Sequence, residues 1–217
     1  MPDSLRQQAK NAFVKDTAEY NYADSFLEEV RTNWRANENS ITRTSAIVVG
    51  LAAAFELILE NKATVATFLS INLSSTRVLE YALPPIIGYL YYYITFCFVQ
   101  SIIFFNIQDS VLDAVYPALN NSNLMRALCP SNSLINSVDL VQFTLDDRRM
   151  STLATITGSI RALVIAFGPP IFMITSYVQL LAKFGYRNAI LWVSIVIAGA
   201  LLAAGVVNFV IGLRAAA

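Results

Sequence analysis

Three carboxylates stand inside or beside apolar runs. Glu56 and Glu60 close the first run and Glu80 opens the second. A carboxylate at bilayer depth costs about 2.5–3.5 kcal/mol on insertion scales, so it needs a cation, water or a proton. Gathered at one end of two helices, Glu56, Glu60 and Glu80 would form an acidic ion or proton site at a narrow mouth. The simpler reading sets all three at the outer interface, near Lys62 and Arg77. Asp109 and Asp113, four residues apart, share one helical face. Together with Asp146 and Asp147 they could hold a cytoplasmic metal in an intramembrane enzyme. No motif joins these pairs, and Asp146-Asp147-Arg148-Arg149 reads as a salt-bridged membrane boundary. The chain has no histidine. That excludes Ser-His-Asp and Cys-His catalysis and histidine-held zinc or haem. Cys97 lies in an apolar run and Cys129 in a polar connection, and both read as free thiols. No metal, no cofactor and no enzymatic activity are expected.

Other residues bear on packing or on a wet cavity. Pro84-Pro85 and Gly168-Pro169-Pro170 interrupt two apolar runs. Each proline removes an amide donor, so each pair should kink its helix and free carbonyls. Tyr89, Tyr91, Tyr92 and Tyr93 lie deep for an interfacial belt. Their hydroxyls need partners, and Tyr89, Tyr92 and Tyr93 are candidates to line a cavity. Gly199 with Ala203, and Ala200 with Ala204, are small residues four apart. They are expected to mark the face on which the last span packs closely. Arg161, at the start of the third span, can snorkel to the surface.

The elements that would position these residues follow from composition. The chain has 217 residues, of which 56% are apolar and 14% charged. Globular norms are about 45–50% and about 25%. Mean hydropathy is +0.53. A bilayer core of about 30 Å needs roughly 20 helical residues. Residues 189–213 and 81–105 are long, uncharged runs, and 162–182 is broken only by its Gly-Pro-Pro. The first run, about 41–60, is shorter and carries Arg43 and Glu56. The expected fold is all-α: a polytopic membrane protein with four transmembrane helices in residues 41–217, preceded by an amphipathic cytoplasmic segment over 1–40. The first apolar run follows about forty mostly polar residues, so no signal peptide is expected. The 106–150 connection is too long for a plain loop and reads as short amphipathic pieces over 110–119 and 134–145.

Basic residues set the expected orientation. Arg6, Lys10, Lys15, Arg31, Arg35, Arg43, Arg126, Arg148, Arg149 and Arg214 fall on the side of the termini. Lys62, Arg77, Lys183 and Arg187 fall on the other. Ten against four places both termini and the 106–150 connection in the cytoplasm. Net charge is zero, so no basic field draws the chain to nucleic acid.

Within residues 1–40, Phe13, Tyr20, Leu27 and Trp34 recur every seven residues, with Ala23 and Val30 at coiled-coil offsets. Residues 1–43 hold six basic and seven acidic side chains, which suits a protein contact better than a lipid surface. The stripe of Phe13, Tyr20, Leu27, Val30 and Trp34 is therefore expected to bind a protein partner or a second copy. Packing on the 106–150 connection is the competing expectation. Together these features point to a non-catalytic membrane subunit that anchors, scaffolds or senses within a larger or self-assembled complex. An ion channel, pore-forming effector or small transporter using the carboxylates is the alternative.

Overall fold

The computed structural model describes residues 20–59, 76–116 and 148–216, which form four α-helices. They are α1 (Tyr20–Leu59), α2 (Thr76–Val115), α3 (Arg148–Phe184) and α4 (Ala189–Ala216). All four are long and apolar enough to cross a membrane, so this is an all-α protein with the character of a multi-pass membrane protein. At about 1.5 Å per residue, the 40-residue α1 and α2 are each about 60 Å long. That is about twice the thickness of a hydrocarbon core, more than a single crossing needs.

The buried positions of α1 explain why it is one helix. Ala23, Leu27, Val30, Trp34, Asn37, Ile41, Thr44, Val48 and Phe55 are all buried. Their spacing alternates between three and four up to Val48, with Phe55 a heptad beyond, so one seam runs along the helix. The stripe foreseen over residues 1–40 therefore has no boundary at residue 40. It continues into the apolar run without a break. The expected short piece over 110–119 is, as far as Val115, the end of α2. The piece over 134–145, Phe13, Glu60, Lys62 and Cys129 lie outside the described residues.

The chain packs as two units. The first comprises Met1–Thr42, Cys97–Ala162 and Val210–Ala217. In it the start of α1 lies antiparallel to the end of α2. Tyr116 Oη donates to Asp24 Oδ1 at 2.9 Å. Further along α1, Trp34 meets Phe105 edge-on with ring centroids 6.1 Å apart. Asn37 then reaches Cys97 and Ser101. Ala23 and Leu27 pack with Val111, Leu112 and Val115 into a buried cluster. Leu27 is 2% exposed and Trp34 3%. Leu27 and Trp34 are thus covered by the chain's own α2, and Val30 between them is buried. Leu27, Val30 and Trp34 are buried within the chain, and the cover of Leu27 comes from Val111, Leu112 and Val115, inside the 106–150 stretch named in the competing expectation. An amphipathic helix buries its stripe on the nearest apolar face, and α2 extends far enough to supply one.

The second unit comprises Arg43–Phe96 and Leu163–Phe209. Its core is Phe55, Leu83, Leu180 and Leu191, with Phe55 edge-on to Phe172 at 5.7 Å. The turn between α3 and α4 is capped on both sides. Gly185 has φ +73° and donates its N–H to Leu181 O at 2.9 Å, an αL ending that favours glycine. Asn188 then caps α4, its Oδ1 accepting the N–H groups of Ile190 and Leu191 at 3.1 and 3.3 Å.

The close-packed face of α4 differs from the expected one. Gly199, Ala200 and Ala203 are exposed, Ala204 is half-buried, and a Cβ on Gly199 would meet nothing within 4 Å. The buried face is Leu191, Ser194, Ala198 and Gly205. A Cβ at Gly205 would stand 2.8 Å from Tyr91 Cε1, so here only hydrogen fits without movement. Two interleaved rows of small residues occupy this helix, and only the approach of α2 distinguishes them. Gly205→Ala should therefore lower stability by about 1–3 kcal/mol through overpacking. Gly199→Ala should be neutral or stabilising, because alanine is the better helix former. Reversible unfolding in mixed micelles, with both variants beside the wild type, measures the contrast.

Candidate functional site

The proline pairs were expected to kink α2 and α3 and to leave carbonyls free. Both helices continue through them. Pro85 lacks the N–H that would bond Tyr81 O, and Pro170 lacks the one that would bond Ala166 O. Each of these carbonyls instead accepts a hydroxyl from another helix. Ser194 Oγ, on α4, donates to Tyr81 O at 2.7 Å. Tyr91 Oη, on α2, donates to Ala166 O at 3.1 Å. Tyr177, on α3, donates to Ser194 O at 2.9 Å and lies 2.9 Å from its Oγ. Asn188 Nδ2 donates to Tyr81 Oη at 2.6 Å. The second unit thus holds a polar seam that ties α2, α3 and α4 together.

Beside this seam lies an ion pair. Glu80 is 1% exposed, and its Oε1 is 3.0 Å from Lys183 Nζ. The same ammonium is 3.5 Å from Leu59 O and 5.5 Å from the centre of the Phe184 ring. Phe184 in turn packs on Tyr81 at 5.1 Å. Glu80 Oε2 is buried with no hydrogen-bond partner. Lys183 as the partner of Glu80 was not foreseen, and Arg77 does not fill that role. The lysine lies 103 residues away in sequence, on the last turn of α3, where helical phase brings it over α2. Glu56 is half-buried on α1, and Glu60 lies outside the described residues.

The tyrosines separate by phase. Tyr91 is buried and carries the carbonyl cap, whereas Tyr89 is 54% exposed. Tyr92 and Tyr93 are half-buried. Two grooves open on this unit. One, of about 660 Å³, runs between α2 and α4 from Arg77 and Asn188 to Ile197. The other, of about 220 Å³, lies between α1 and α3 and is almost wholly apolar. Neither is lined by Tyr89, Tyr92 or Tyr93, so the expected tyrosine cavity is not one of these two.

The first unit has its own buried polar cluster. Glu38 Oε1 accepts from Trp34 Nε1 at 3.0 Å and from Ser101 Oγ at 2.6 Å. Asn37 Nδ2 donates to Cys97 O at 2.7 Å and to Ser101 Oγ at 2.8 Å. One turn or two further along α2, Gln108 is fully buried with neither amide atom partnered. The sequence signal for this cluster was available: Asn37 continues the heptad of Leu27, Val30 and Trp34, and Glu38 stands beside it, four residues after Trp34. Asp109 and Asp113 are half-buried on α2, while Asp146 and Asp147 lie outside the described residues. Among the described residues no group of three or more His, Cys, Asp or Glu side chains could hold a metal. Comparison with known protein families, curated proteins and solved structures gives no match.

Removing one member of a buried ion pair costs about 3–5 kcal/mol, because the other charge is left uncompensated. Lys183 is 31% exposed, so water recovers part of that cost here. Lys183→Ala should therefore destabilise the protein by about 2–3 kcal/mol. Glu80→Leu on top of it should restore most of the loss. Unfolding free energies of the two single variants and the double variant test this coupling. Additive losses would show that the two charges do not interact.

Proposed function

We propose that this chain is a non-catalytic, multi-pass membrane subunit that anchors or scaffolds within a larger or self-assembled membrane complex. The supporting observation is how its buried polar groups are engaged. Glu80 is held by Lys183, the hydroxyls of Tyr91 and Ser194 cap proline-freed carbonyls, and Glu38 is bonded to Trp34 and Ser101. Groups engaged in this way join helices to each other. A transport or catalytic site keeps such groups turned towards an accessible cavity. Residues 1–40 are the proposed protein contact. With the stripe covered, the contact uses the exposed flank of α1 that carries Tyr22, Glu28, Glu29 and Arg35. Both termini are proposed to face the cytoplasm, on the basic asymmetry of the connections.

One observation favours a second reading, ion conduction: the buried, unpartnered Oε2 of Glu80. A carboxylate oxygen with no donor is open to a passing cation or a proton.

Gentle extraction into nanodiscs followed by native mass measurement tests the subunit reading. A mass above that of one 23.9 kDa chain is expected, and a lone chain from native membranes would overturn the proposal. Purified protein in liposomes should pass no more cation than empty liposomes. Flux that falls in Glu56→Gln or Glu80→Gln would favour the channel. Orientation is read by membrane-impermeant thiol labelling of intact cells, in a chain with Cys97 and Cys129 replaced by alanine. Cysteine placed at Tyr186 should label from outside and cysteine at Ser122 should not. Equal labelling would contradict the four-span topology.

A further inference from the structure

The groove between α2 and α4 has a charged end and an apolar wall. Arg77 and Asn188 stand at one end, where both helices begin, and α2 and α4 run from there in the same direction. Val78, Ala82, Val193 and Ile197 line the rest. The neutral polar groups of the groove are already engaged. Asn188 bonds Tyr81 Oη and caps α4, and Ser194 bonds Tyr81 O. Arg77 is exposed and has no ion pair among the described residues. Its planar fork of donors matches a phosphate.

Exposed aromatic side chains mark the depth of the charged end. Tyr186 is 73% exposed, and its carbonyl accepts Trp192 Nε1 at 2.9 Å. An exposed tyrosine and tryptophan beside a turn belong at head-group level, where a ring can lie in the interface and its polar edge in water. Arg77 and Asn188 share that level. From Ile190 to Ile197 the wall extends about 10 Å along α4. One leaflet's hydrocarbon depth is about 15 Å. A chain whose head group rests on Arg77 would therefore lie along the wall within a single leaflet. The smaller groove between α1 and α3 offers no charged group, so it has nothing to select a head group.

We propose that this groove binds one anionic phospholipid, its phosphate on Arg77 and one acyl chain along Val78, Ala82, Val193 and Ile197. The site depends on the membrane character of the helices and not on the anchoring role. The excess of positive charge at the groove mouth favours an anionic head group over a zwitterionic one. The apolar wall requires the lipid rather than its head group alone.

Native mass measurement of the full chain tests this, with phosphatidylglycerol or phosphatidylcholine of matched acyl chains added to the detergent-purified protein. One phosphatidylglycerol per chain should be retained about fivefold more tightly than phosphatidylcholine, the effect of one basic residue at an anionic surface. Arg77→Gln should abolish that preference, and Arg214→Gln, at the far end of α4, should keep it. Val193→Trp fills the wall from an exposed position and should weaken both lipids. Thermal midpoints equal to wild type confirm that each variant is folded. Glycerol 1-phosphate should not displace the lipid. Equal retention of the two lipids, a preference that survives Arg77→Gln, or displacement by glycerol 1-phosphate would each overturn the proposal.

Discussion

A helix surrounded by apolar groups must satisfy its own backbone, because neither lipid nor core side chains can do so. The second unit breaches that rule at two proline pairs, and at the second proline of each pair another helix makes good the loss. Pro85 and Pro170 leave Tyr81 O and Ala166 O without their intrahelical donors. A buried carbonyl without a partner costs about 1–3 kcal/mol. Ser194 and Tyr91 supply the missing donors from other helices. What would be a defect in an isolated helix becomes a directional contact between helices. The close approach of Gly205 to Tyr91 follows from the same requirement, since the tyrosine ring must lie against α4 while its hydroxyl reaches α3.

Charge follows the same logic with larger energies. Glu80 is more deeply buried than most carboxylates tolerate, and a lysine whose stem crosses from α3 compensates it. Lysine suits this position because its long apolar stem can reach inward while its head keeps contact with water. In the first unit Glu38 is bonded to an indole and a hydroxyl on an otherwise apolar seam. Buried polar groups of this kind define register: a shift of one turn between α1 and α2 would separate Asn37 from Ser101 and leave both unpaired. Gln108 shows that the seam is not satisfied throughout.

The overall elements were legible in the chain because the signals are long and redundant. Twenty or more apolar residues in a row can adopt few other structures. Residues 189–213 and 81–105 lie inside α4 and α2 as expected, and the seven-residue stripe of α1 marks its buried face. Element ends were less legible. α1 extends across residue 40 and α2 to Val115, because a helix continues wherever its seam continues, whether the outer face is apolar or charged. Of the candidate site, Glu80, the proline pairs and the tyrosine cluster were identified by type. Which tyrosine turned inward was not legible, because four tyrosines within five residues point to several sides of a helix.

The sequence alone determined the apolar runs of the four described helices, the absence of histidine chemistry and the seam of α1, since each depends on composition or on period along one chain. The tertiary structure decided the partners: Lys183 for Glu80, Ser194 for Tyr81 O, Tyr91 for Ala166 O, and α2 for Leu27 and Trp34. It also decided which row of small residues on α4 is packed. These choices depend on the rotation and register of one helix against another. That relation is set by how side chains far apart in the chain interlock, and no local pattern contains it.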